Sequence, residues 1–290
     1  MSFRNEMEGL RMNKLFGAAA AAAVLILSSS AQAQAPLPAP ASALSYADLA
    51  DLGLSAPVAA HVRVTRATRL KDEQAAGVAA GRTRFYVEAD VLSLIRGPSG
   101  LPAQLRYLAE LPNRPDGKAP KLAKKSEHLV IGTPVAGRPG ELRLAAPDAQ
   151  IAWSPQAGEQ VRAILAEAAA RGAPPRITGI GRAFHVPGAL PGDSETQIFL
   201  QTERGDPVSI SIIRRPGEQP RWGVALSEIV DDAAGPPARN TLLWYRLACT
   251  LPARLPAQSF AGADETQSRA IAADYALVLQ RLGTCERTRS

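Results

Sequence analysis

From Val62 onward the chain reads in twos. Val62 and Val64 alternate with Arg63 and Thr65, and Phe85, Val87, Ala89 and Val91 alternate with Tyr86, Glu88 and Asp90. Leu105, Tyr107, Ala109 and Leu111 repeat the pattern. Successive side chains of a strand point to opposite faces, so this period predicts strands with one apolar and one polar side. Leu129 to Ile131 supplies a fourth strand, and Leu142 with Leu144, after the turn Gly137-Arg138-Pro139-Gly140, a fifth. Upstream, Ser45 is placed to cap a short helix carrying Tyr46, Leu49 and Leu52 that ends near Pro57.

The period changes at Ser154-Pro155, a serine N-cap with proline at the first helical position. Val161, Ile164, Leu165 and Ala168 share one helical face, and Gly172 with Pro174 closes the element, giving a helix over about 154–171. Strands then resume: Ile177 to Val186, Gln197 to Thr202 and Val208 to Ile213 paired around Arg204-Gly205-Asp206-Pro207, and Trp222 to Val230. Leu242 to Leu251 reads as a helix capped by Asn240 or Thr241 and stopped by Pro252. Asp264 and Gln267 form a capping-box pattern for a last helix lined by Ile271, Tyr275, Val278 and Leu282 and ended by Gly283. The expected fold is β-rich α+β: a barrel-like unit with its helix over 45–173, then a second antiparallel β unit with C-terminal helices over 174–290. No internal repeat is found.

The first 33 residues do not fit either unit. Arg11 and Lys14 flank Met12, Leu15 to Leu27 carries no charge, and Ala31-Gln32-Ala33 follows. A positive segment, a short apolar core and an A-x-A site describe a secretory signal peptide. Its core falls short of the roughly 20 residues of a membrane span. The expectation is cleavage after Ala33, with Met12 as the true start, and a periplasmic or secreted product with no membrane span in its mature form. Proline-spaced residues 34–44 read as a flexible linker.

Export changes the meaning of the two cysteines. In an oxidising compartment Cys249 and Cys285 are expected to bridge, since they lack C-x-x-C spacing and a nearby histidine. By the chain-entropy model a loop of that size is worth about 3–4 kcal/mol. Charge is less informative. Lys and Arg number 33 against 27 Asp and Glu, a net +6 that becomes +5 once residues 1–33 are removed. A GC-rich genome gives the same arginine-rich, lysine-poor bias. One local concentration stands out: Lys118, Lys121, Lys124 and Lys125, four of the six lysines, fall within "NRPDGKAPKLAKKSE". Such a loop is a candidate binding site for anionic envelope polymers or lipid head groups. No nucleic-acid partner is expected.

The segment "FHVPGALPGDSETQ" offers the only candidate catalytic residues, His185, Asp193 and Ser194. All three histidines (His61, His128, His185) precede Ser194, so the order of a lipase-like G-D-S hydrolase, with its late histidine, is not met. Chymotrypsin-like proteases surround the serine with glycines whose N–H groups build the oxyanion hole. Here Glu195 and Thr196 stand in those places. Phe184-His185 and Thr196-Gln197-Ile198-Phe199 faintly resemble prolyl isomerase segments, but Val186 follows where that family has arginine. The simpler reading is a turn built by Pro187, Gly188, Pro191 and Gly192. No H-E-x-x-H, H-x-H or aspartate-rich calcium loop occurs, and Gly179-Ile180-Gly181 is too short for a phosphate loop, so no metal and no cofactor are expected.

Two resemblances bear on this reading. Five strands followed by a helix, with "ADVLSLIRG" ending in Arg96-Gly97, resemble OB-like and netrin-like barrels, which by fold analogy implies a peptidase inhibitor. The netrin-like disulfide framework is missing. Strings including "SYADLADL", "RFYVEADVLSLIRG", "SETQIFLQT" and "TLLWYRLAC" resemble a group of uncharacterised secreted proteins of GC-rich Gram-negative bacteria, which implies export and no activity. The leading expectation is a non-catalytic binding or interaction protein of the cell envelope. The alternatives are a hydrolase or prolyl isomerase centred on His185, and the inhibitor.

Overall fold

The computed structural model of this chain describes residues 44–227 and 235–289. The expected signal peptide and most of the linker lie outside the described residues. Helix α1 (Tyr46–Ser55) opens on a full capping box: the Ser45 hydroxyl accepts from the Asp48 N–H, and the Asp48 carboxylate accepts from the Ser45 N–H. Its C-terminal carbonyls are met by Arg96, which donates to Gly53 and Ala56.

The alternation forms strands longer than the sequence pattern implied. They are β1 (Val58–Arg69), β2 (Arg82–Arg96), β3 (Gln104–Pro112), β4 (Glu127–Pro134) and β5 (Glu141–Leu144). β1 pairs antiparallel with β2, β2 with β3, β4 with β5 and β4 with β1, while β3 and β5 run parallel. The ring β1-β2-β3-β5-β4 therefore closes, and a short β6 (Gln150–Ala152) lies on β4. The inward residues are those the alternation picked out: Val62, Val64, Phe85, Val87, Ala89, Leu105, Tyr107 and Ala109 form one buried cluster. Helix α2 (Pro155–Ala169) follows with its Ser154 cap and Pro155 as expected. Gly158 lies under Trp153, where a Cβ would sit 2.3 Å from the indole ring.

Beyond α2, strands β7 (Ile177–Pro187), β8 (Ser194–Thr202), β9 (Val208–Arg214) and β10 (Arg221–Ala225) form a four-stranded antiparallel sheet in the order β10-β9-β8-β7. The strand expected to reach Val230 stops at Ala225, and Val230 lies outside the described residues. Helix α3 (Leu242–Ala248) is capped by Thr241 and ends before Leu251, with Cys249 as its C-cap, the Cys249 N–H still donating to the Tyr245 carbonyl at 3.1 Å. Helix α4 (Glu265–Leu282) has the Asp264/Gln267 capping box. Gly283 ends it at φ +77°, a conformation that favours glycine.

The boundary expected near residue 174 does not divide the apolar core. One cluster joins Leu49, Leu129, Ile131 and Ile164 from the first half to Ile180, Ile198, Ile210, Trp244 and Tyr275 from the second. Glu167 of α2 also accepts the Leu242 N–H at the start of α3, at 2.9 Å. Cys249 and Cys285 are bonded, with Cα atoms 4.8 Å apart. The bridge directs residues 285–289 back across α1. There Thr288 and Arg289 donate backbone N–H groups to Asp48 at 3.0 Å each, and Arg287 holds Asp51 through two nitrogens.

Candidate functional site

The catalytic candidates sit on a β-hairpin, and the structure gives them structural partners. Pro187 and Ser194 face each other across β7 and β8, and the tip is closed by Gly188 N–H donating to Asp193 C=O at 2.7 Å and Asp193 N–H to Leu190 C=O at 3.0 Å. The Asp193 carboxylate is held by Arg215, and its side chain packs over Gly188 where a Cβ would stand. Among the described residues no hydrogen bond joins His185 to Asp193 or Ser194.

His185 instead meets Thr196, its cross-strand neighbour, with Nδ1 2.8 Å from Oγ1. The Thr196 hydroxyl donates to the Asp274 carboxylate of α4, whose other oxygen accepts from Arg214 Nε at 2.7 Å. Thr196 and Asp274 are fully buried. The bonding order decides what this group can do. An aspartate that accepts from an arginine is ionised, so the hydroxyl proton points to Asp274, and the hydroxyl lone pair is left to accept from His185 Nδ1–H. The histidine is thus a donor to the hydroxyl rather than a base acting on it. A nucleophile needs the opposite polarity. Chemically, the cluster fastens three strands to α4.

No spacing to a histidine marks Asp274 in the sequence. The available signal was an acid three residues after Ile271, inside the apolar stripe of α4.

The other histidines also have partners within the fold. His61 on β1 stacks on Trp153 with ring centroids 3.6 Å apart and donates from Nε2 to the Glu127 carboxylate at 2.8 Å. His128 on β4 meets the Ser126 hydroxyl at 2.9 Å. Burial lowers its pKa below the ordinary 6.5, opposed by the Ile151 carbonyl. Among the described residues no group of three or more His, Cys, Asp and Glu side chains is arranged to hold a metal ion.

The four lysines separate. Lys118 and Lys121 line a cleft of about 340 Å³ with Arg69 and Arg114, built where Arg114 N–H donates to Lys118 C=O and Thr83 Oγ1 to Asn113 Oδ1. Lys124 and Lys125 are exposed on the turn entering β4, where Lys125 N–H is tied to Val64 C=O, and stand outside that cleft.

A larger concavity was not anticipated. A groove of about 610 Å³ crosses the outer face of β2, β3 and β5. Tyr86 and Leu108, register partners on β2 and β3, form its floor, and Leu108 is 46 % exposed. Arg84, Arg106, Arg138 and Arg143 surround them. Arg84 is committed to the buried Glu110, and Arg138 to Glu141. The Arg106 guanidinium donates to the Pro139 carbonyl, and among the described residues neither Arg106 nor Arg143 makes an ion pair.

No family model matches the chain. No curated protein matches it either.

The groove must therefore be interpreted from its own chemistry. Its volume falls within the range of small-ligand sites, with an apolar floor and convergent polar groups. Two guanidinium groups without carboxylate partners beside a tyrosine and a leucine suit a ligand bearing carboxylate or phosphate on a partly apolar body.

Proposed function

We propose that this chain is an exported, non-catalytic binding protein for anionic components of the cell envelope, with the β2-β3-β5 groove as its binding face. The observation that carries this reading is the pair Arg106 and Arg143, unpaired with any carboxylate among the described residues, beside Tyr86 and Leu108. Export is supported by the order of charges and apolar residues before Ala33, and a Cys249–Cys285 bridge is in keeping with an oxidising compartment. Among the described residues no helix is long and apolar enough to cross a membrane.

We read the barrel as OB-like. Supporting this are the closed ring β1-β2-β3-β5-β4 and its parallel β3 to β5 contact. In such barrels the face of strands 2 and 3 and the loops joining strands 1 to 2 and 4 to 5 carry ligands, and this groove is lined by that face and by Val135 and Arg138 of the β4 to β5 loop.

The test is elution from a sulfated polysaccharide matrix as salt rises. R106A/R143A and K124A/K125A remove equal charge, so only position separates them. The reading predicts that R106A/R143A elutes well before wild type while K124A/K125A stays close to it. Equal shifts for both pairs would mean that net charge, not this groove, drives retention.

A further inference from the structure

The groove does not stand alone. A second cleft of about 340 Å³ lies between it and the lysine cleft, formed where the β1 to β2 connection folds against the strands. It shares Arg84 with the groove, and Arg69, Thr83 and Asn113 with the lysine cleft. Three depressions therefore adjoin through shared lining residues. Along the β2/β3 ladder, the stretch from the Arg82/Pro112 pair to the Glu88/Arg106 pair alone covers about 20 Å at strand rise.

The charge along these clefts is predominantly positive. Nine arginines and lysines line the three clefts, against the two carboxylates Glu110 and Glu141; at the rim of the lysine cleft Asp116 pairs with Arg114 at 2.8 Å and, more loosely, with Lys118 at 3.9 Å. With Asp116 counted, the excess of six equals the +6 of the entire chain, so the remaining charges of the sequence nearly cancel. A compositional bias toward arginine would spread its charge evenly; here it is concentrated where the surface is concave. Low-dielectric walls around charges of one sign focus their field on the cleft.

The lining also says which kind of polyanion fits. Single-stranded nucleic acid is held by successive aromatic platforms on which its bases stack. These clefts offer one accessible aromatic ring, Tyr86, because Tyr107 is buried with its hydroxyl bound to Gln150. One ring beside Leu108 provides a single apolar step, suited to one sugar face, while arginines at intervals suit repeating carboxylates.

Building on the proposed binding face, we infer that the ligand is an extended acidic polysaccharide running from the Arg106/Arg143 groove across Arg84 and Arg69 to Lys118 and Lys121. The polymer engages the groove and the lysine cleft together. Its affinity therefore rises with chain length until both ends of the track are occupied.

The experiment is a titration of the full chain with oligogalacturonates, from the single uronic acid to chains that span the track. Wild type should bind more tightly as the oligomer lengthens and then level off. K118A/K121A should flatten that rise and weaken the longest oligomer by about tenfold. K124A/K125A should retain the rise. Affinity independent of length in the wild type overturns the track, and so does a thymidine oligomer of equal length binding more tightly than the glycan. In either case early elution of R106A/R143A from the polyanion matrix would leave the groove reading standing, whereas co-elution with wild type would remove both.

Discussion

Asp274 shows how one side chain decides between chemistry and cohesion. Fully buried on α4, it accepts from both Thr196 and Arg214, and each of these depends on it for a charge-assisted hydrogen bond. Asp274→Asn keeps the volume but removes the charge, leaving Arg214 without its counter-ion and presenting a donor where two acceptors stood. Because Arg214 is about one-third exposed, water recovers part of the loss, and the expected cost is about 2 kcal/mol. His185→Ala should cost only about 1 kcal/mol, since Thr196 keeps its bond to Asp274. Urea unfolding of the two variants checks the order. A larger loss for His185→Ala than for Asp274→Asn would show that the histidine, not the carboxylate, holds the cluster.

At the scale of elements, the caps and faces were legible because they depend on neighbours in sequence. Ser45, Ser154, Thr241 and Asp264 all cap the helices assigned to them, and the alternating residues of β2 and β3 turn inward as their period requires. What joins elements was not legible. The clamp of residues 287–289 on Asp48 and Asp51 links positions more than 230 residues apart, which no local pattern encodes. Burial raises the Asp48 carboxyl pKa, but hydrogen bonds from Thr288, Arg289 and Ser45 outweigh it and hold the group below its ordinary 3.8. His128 lies below its ordinary 6.5 through burial.

Both groups therefore bind protons less readily when folded than when unfolded. Each contributes stability that is complete above its ordinary value and is lost as pH falls through its lowered folded value. Thermal unfolding midpoints should decline first below about pH 6.5 and again below about pH 4. His128→Gln should remove the first decline and leave the second. A midpoint that rises on acidification from neutral pH would contradict the His128 assignment, and one that rises below about pH 4 the Asp48 assignment.

For the whole molecule, the fold class was readable and the binding face was not. Barrel and sheet follow from periodicity, but Arg84, Arg106, Arg138 and Arg143 each look like an ordinary outward charge in sequence. They converge only because β5 returns parallel to β3, setting Arg106 against Glu141 and Tyr107 against Leu142. The lysine loop was visible as a local concentration, yet only Lys118 and Lys121 enter a cleft. The most direct test of the account is a map of chemical-shift changes at backbone amides and arginine Nε–H groups as a short oligogalacturonate is added at low salt. The account predicts changes centred on Tyr86, Arg106, Leu108 and Arg143. Changes centred on His185 to Ser194, or none at the groove, would contradict it.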